Sequence, residues 1–96
     1  MYLISYDLSK DRLRNQVAKE MENFGKRVQY SVFECRISEK QLYILYERLA
    51  KIMQDEPDGS IRIYSICRNC EEKLQTIGID KEVDGMTLEE EGLFIV

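Results

Sequence analysis

The residues of this 96-residue chain with side chains fit for a reactive site are scattered along it. Asp7 follows the alternating run Met1 to Tyr6. A carboxylate at the end of a rigid strand supplies the oxygen ligand that a hard cation such as magnesium takes. One carboxylate does not make a metal site, and an Asp between a strand and a helix is also an ordinary turn or cap residue. A twofold axis changes the count. An isologous interface brings the same residue of two copies to one place, so two Asp7 side chains can share an ion.

Cys67 and Cys70 form a CxxC, the spacing of zinc and redox sites. The chain has no histidine, and Cys35 is its one other cysteine, so a closed zinc site within one chain lacks a fourth ligand. No glycine-rich phosphate loop is visible, and neither a Ser-His-Asp nor a Cys-His set can be built. Basic residues are more numerous. Arg12, Arg14 and Lys19 flank the apolar face of a predicted first helix, Lys26 and Arg27 follow it, and Arg36 and Lys40 come later. Each is a candidate phosphate contact, and each is equally explained as a solvated surface charge. Clustering in space decides between the two.

The net charge of −4 conceals an asymmetry. Residues 1–54 carry ten Lys or Arg against seven Asp or Glu, a balance of +3, whereas residues 55–96 carry four against eleven, a balance of −7. Local positive potential attracts phosphates, so the net value neither supports nor excludes a nucleic-acid partner. The composition, 44% hydrophobic and 33% charged, is that of an ordinary globular domain. No apolar stretch approaches the roughly 20 residues that cross a bilayer, and the first residues alternate where a signal peptide would be continuously apolar. The expectation is a cytoplasmic protein with no membrane partner and with reduced thiols.

The elements that must position these residues follow from periodicity. Tyr2, Ile4 and Tyr6 alternate with Leu3 and Ser5 in a strand that is largely apolar on both sides, which marks an interior strand. Asp7 and Ser9 offer turn and N-cap chemistry before a helix with Leu13, Val17, Ala18, Met21 and Phe24 on one face, and Gly25 is the expected left-handed C-cap. Val28 to Ile37 reads as one long strand. Ser38 then opens a helix bearing Leu42, Leu45, Tyr46, Leu49, Ile52 and Met53. A turn at Glu56 to Gly59 leads to a strand over Ile61 to Ile66, a polar turn or helix at Arg68 to Glu72 and a short strand over Lys73 to Ile77. The order is βαβαββ, or βαββαβ if Arg68 to Glu72 is helical. Residues 79–96 are acidic and end in Leu93, Phe94, Ile95 and Val96. Terminal hydrophobes of this kind are expected to add to a sheet edge, either of a partner subunit or of the same chain.

In order, Tyr6-Asp7-Leu8-Ser9, the run RVQYSVFEC from Arg27 to Cys35, and Arg62-Ile63-Tyr64 resemble the CRISPR-associated Cas-two family. The middle run is the specific part, and the likeness spans residues 1–78. The resemblance implies an α+β, ferredoxin-like βαββαβ sandwich over residues 1–78, with an additional C-terminal strand within 79–96, assembled as a homodimer. It further implies spacer acquisition, in which the dimer bridges the Cas-one integrase and lies along duplex DNA, and a magnesium-dependent nuclease activity on RNA or DNA. The family's metal residue matches Asp7, and Tyr6, Arg14, Arg27 and Phe33 match positions implicated around its cleft. Some relatives carry a second arginine two residues beyond the one matching Arg14, where this chain has Gln16.

Two functions are therefore in view. Hydrolysis of a phosphodiester needs a metal held by paired Asp7 side chains, and the chain shows no evident general base. A structural nucleic-acid adaptor needs only a rigid dimer and spaced phosphate contacts from Arg12, Arg14, Lys19, Lys26, Arg27 and Arg36. A small-molecule regulatory domain is disfavoured, because no segment has the form of a ligand-specific loop.

Overall fold

The computed structural model describes residues 1–56 and 58–78. The elements run β1 (Tyr2–Asp7), α1 (Asp11–Met21), β2 (Lys26–Gln29), β3 (Val32–Cys35), α2 (Glu39–Ile52), β4 (Ser60–Ser65) and α3 (Arg68–Glu72). The sheet is antiparallel with strand order β2-β3-β1-β4. With α1 and α2 as its two long helices, this is the ferredoxin-like βαββαβ arrangement, with α3 appended.

The interior position of β1 follows from its two partners. Ile4 faces Phe33 on one side and Ile63 on the other. Beneath this row lie Leu13, Val17, Ala18 and Met21 of α1 and Leu45 and Leu49 of α2, all buried. The helices are also joined at the surface, where Arg48 Nη1 donates to Glu20 Oε2 at 2.9 Å. Ser38 caps α2 as expected: its hydroxyl accepts the Gln41 N–H at 3.1 Å while the Gln41 side chain takes the Ser38 N–H at 3.0 Å. Tyr46, expected on the packed face of α2, instead stands mostly exposed on its flank.

Three expectations need correction. The run Val28 to Ile37 is two strands, because the chain reverses at Tyr30 and Ser31 to form a hairpin. Ser31 suits a turn and Tyr30 does not, and the reversal is held from outside: the Tyr6 N–H donates to the Ser31 carbonyl at 3.1 Å and the Tyr6 hydroxyl to the Tyr30 carbonyl at 3.4 Å. Lys73 to Ile77 is not a strand. The N–H groups of Lys73 and Leu74 donate to the Cys70 and Glu71 carbonyls, so the chain leaves α3 through a helical turn. Ser9 does not cap α1 either; Lys10 holds the N-cap position without a side-chain bond.

Gly25 has a purpose other than the one expected of it. Its φ is not in the left-handed region. A Cβ there would lie 2.4 Å from the Glu34 carbonyl oxygen and 2.5 Å from Cys35 Sγ. Glycine lets the start of β2 pass this close to β3. The predicted C-terminal strand lies in 79–96, outside the described residues.

Candidate nucleic-acid interface

The last residue of β1 is Asp7, and its side chain is exposed. Its neighbours Tyr6 and Leu8 are buried, so a fixed strand end presents the carboxylate to solvent. Across the sheet Asp7 is in register with Ser60. Gly59 comes close behind: at φ +99° it adopts the left-handed backbone, and a Cβ would stand 2.9 Å from the Asp7 carbonyl oxygen.

Arg14, in the first turn of α1, braces the loop that follows Asp7. Its Nη1 donates to the Leu8 carbonyl at 2.7 Å and to the Ser9 carbonyl at 3.0 Å, and its Nη2 pairs with Asp11. Two backbone acceptors and a carboxylate occupy a guanidinium that the sequence offers as a phosphate contact.

Tyr6, Arg27 and Phe33 form one packed group on the helical side of the sheet. The Arg27 guanidinium lies 5.3 Å from the centre of the Phe33 ring, a cation–π contact, and Arg27 Nη2 donates to the Tyr6 hydroxyl at 3.5 Å. The Tyr6 and Phe33 ring centres are 6.5 Å apart. Burial holds the Tyr6 hydroxyl above the usual phenol range, against the opposing pull of Arg27 and, more weakly, Arg14. Tyr6 is therefore a neutral hydrogen-bonding group at neutral pH. The structure thus gathers Tyr6, Asp7, Arg14, Arg27 and Phe33 at one end of the sheet.

The other basic candidates divide. Arg12 and Lys19 are exposed and seven residues apart, which puts them on one face of α1, two turns or about 10 Å from each other. Lys26 is on the sheet face away from the helices, in register with Glu34. Arg36 stands at the far end from Asp7, beyond the Tyr2–Cys35 pair, and pairs with Glu71 and, at 3.9 Å, with Glu34.

Two residues near the site escaped the reading of the sequence. Arg62 faces Ser5 on the outer side of the sheet and is exposed on β4, an edge strand, where its Nη1 lies 3.5 Å from the Tyr64 hydroxyl. The alternation of β4 was the signal for it. Lys10 joins the Asp7 loop to the turn before β4 through Glu56 at 3.1 Å, a pairing of distant residues that local pattern does not reveal.

Magnesium takes oxygen ligands, which Asp7 can supply. Among the described residues no three His, Cys, Asp or Glu side chains form a metal-holding cluster. One chain therefore offers no closed carboxylate set at this place, and the donor set fits the ion only if a second copy adds its own Asp7. Nor, among the described residues, is any helix long and apolar enough to cross a membrane.

Fold and site together define a small ferredoxin-like α+β domain with an exposed strand-end carboxylate and two exposed cations, Arg12 and Lys19, on one face of α1. Residues 1–74 match the family of CRISPR associated protein Cas2, and the chain belongs to that family. It is 42% identical over 77 residues to CRISPR-associated endoribonuclease Cas2 1 of Chloroflexus aurantiacus, covering 80% of this chain and 83% of that one. It is 39% identical over 90 residues to CRISPR-associated endonuclease Cas2 of Halalkalibacterium halodurans, covering 88% and 92%. Among solved structures it is similar to Streptococcus pyogenes Cas2, with a TM-score of 0.70 at 33% identity over 80% of this chain and 98% of that one. A chain of a partial Cas6-RT-Cas1–Cas2 complex superposes with a TM-score of 0.62 at 29% identity, over 79% and 88%.

Proposed function

We propose that the chain is a CRISPR adaptation subunit that holds nucleic acid as a homodimer and bridges the Cas1 integrase on duplex DNA. The observation that carries this reading is the exposed pair Arg12 and Lys19 on one face of α1, which begins beside the braced Asp7 loop. Two cations on a rigid helix make spaced phosphate contacts at little entropic cost. The similarity to a chain of a Cas1–Cas2 complex supports the partnership with Cas1.

A second activity is supported by the names of the relatives, endoribonuclease and endonuclease, and by the position of Asp7. In this reading the Asp7 carboxylates of two copies hold magnesium, which when bound lowers the pKa of a water and polarises a phosphodiester of RNA or DNA. The chain's own contribution is positional. Arg14 fixes the backbone beside Asp7, and the packed Tyr6, Arg27 and Phe33 keep the end of β1 from shifting.

The test is duplex binding across a salt series together with cleavage of single-stranded RNA and duplex DNA, with and without magnesium. Asp7→Asn should abolish cleavage and leave folding and duplex affinity intact; full cleavage by this variant, free of contaminants, removes the metal role. Charge reversal at Arg12 and Lys19 should weaken duplex binding and flatten its dependence on salt. If neither quantity changes, the helix-face contacts are wrong.

A further inference from the structure

Cys67 and Cys70 follow β4 at the end of the sheet away from Asp7. Cys67 is the N-cap of α3, with extended φ −71° and ψ 164°, and Cys70 is the third residue of that five-residue helix. Both side chains are exposed, whereas Cys35 is buried in the core. The extended backbone at Cys67 curls its sulfur back over the first turn, where Sγ accepts the Cys70 N–H at 3.3 Å. The Cys70 sulfur is three bonds from that nitrogen. The two thiols therefore meet over the first turn of α3.

The surroundings distinguish the two sulfurs. The Cys70 amide and thiol both turn hydrogen toward Cys67, which holds its thiol below the usual range, and the same contact holds Cys70 above it. The adjacent carboxylate, Glu71, is engaged by Arg36 and approached by the Met1 amine at 3.9 Å, so its charge is largely neutralised. The backbone N–H on Cys67 Sγ favours its thiolate, which marks Cys67 as the sulfur to attack.

We propose that Cys67 and Cys70 are a reversible dithiol–disulfide couple, with Cys67 the attacking sulfur, that exchanges with small-molecule disulfides. The Cys67 thiolate attacks one sulfur of a disulfide such as glutathione disulfide, forming a mixed disulfide and expelling one glutathione thiolate. Cys70, its proton given to solvent, then attacks the Cys67 sulfur and expels the second glutathione. Two protein thiols are oxidised by two electrons, one reagent disulfide is reduced to two thiols, and the two protons end on the leaving thiolates.

This couple is a switch more than a staple. A ring closed between residues three apart removes little freedom from the unfolded chain, so the bond gains little stability and stays reducible. Its position bears on the segment downstream of α3. Residues Leu74 to Ile77 leave α3 and line, with Leu3, Val28, Val32 and Glu34, a groove of about 470 Å³ over the outer face of the sheet. The bond would fix the turn from which that segment departs.

The experiment uses the full chain in glutathione redox buffers, quenched with an alkylating agent and mapped by mass spectrometry. Wild type and Cys35→Ser should each lose the mass of two hydrogens, localised to a Cys67–Cys70 bond and restored by dithiothreitol. With Cys70→Ser, a glutathione adduct should form on Cys67 about threefold or more faster than on Cys70 in Cys67→Ser at neutral pH. The proposal is overturned if both thiols remain alkylatable throughout, if the bond forms to Cys35 or between chains, or if the two adducts form at equal rates. Added zinc that binds the thiols and blocks the exchange would also overturn it, in favour of a metal site shared between copies.

Discussion

Arg14 Nη1 donates to the Leu8 carbonyl oxygen at 2.7 Å, tying the first turn of α1 to the residue that follows Asp7. The bond gives Arg14 a structural duty that its charge alone does not indicate. Arg14→Gln should lower stability by about 1–3 kcal/mol, the worth of hydrogen bonds from a charged donor, read as a lower urea midpoint. Arg14→Lys discriminates between two roles. A lysine keeps the charge and loses the fork, so it should recover little stability if Arg14 is a brace, and should restore duplex affinity if it is a phosphate contact.

Gly25→Ala should be more damaging than its position between two elements suggests. The added carbon would sit 2.4 Å from the Glu34 carbonyl oxygen and 2.5 Å from Cys35 Sγ, so β2 must move away from β3. Overpacking of this kind costs about 1–3 kcal/mol. Urea unfolding should show a lower midpoint with an unchanged slope, and a wild-type midpoint would mean that the strands separate without penalty.

These two cases show where the sequence was legible. Local pattern was sufficient for β1, α1 and α2, because each carries its own period, and for the Ser38 cap, whose partner Gln41 is three residues away. The break at Tyr30 and Ser31 was not legible. Its turn is held by Tyr6, more than twenty residues distant, and its one local trace is the change of phase from Val28, Tyr30 and Val32 to Phe33 and Cys35. For the same reason the site was half legible. Asp7 could be placed at a strand end from its neighbours, but no local signal shows that Arg14 is occupied by backbone carbonyls or that Arg36 lies at the opposite end of the sheet.

The position of Arg36 makes a prediction about binding. Its guanidinium pairs with Glu71, away from the Asp7 end, whereas Arg12 is exposed on α1. Arg36→Ala should leave duplex affinity and its salt slope close to wild type and change stability by less than about 1 kcal/mol, as expected of an exposed ion pair. Arg12→Ala should reduce both affinity and slope. Equal losses from the two variants would place nucleic acid along the whole sheet and not at one end of it.

Cys35 sets a pH limit on the fold. Its thiol is buried against the core, and burial first, with Glu34 second, pushes its pKa up from 9.0 to about 11. Between those values the unfolded chain releases this proton while the folded chain keeps it, so unfolding is progressively favoured as pH rises. The stabilisation is whole below pH 9 and is lost as pH rises through about 11, an effect on the order of 3 kcal/mol. Tyr6, also raised by burial, acts in the same direction above its ordinary value of 10.0. Urea midpoints of wild type and Cys35→Ala measured from pH 8 to 10 isolate the Cys35 thiol, because Cys67 and Cys70 titrate in both proteins and most of the Tyr6 contribution falls higher. Over that interval wild type should lose stability more steeply than Cys35→Ala, which starts lower for want of the buried sulfur but has no thiol to ionise. Parallel slopes for the two proteins would show that Cys35 ionises as readily in the fold as out of it.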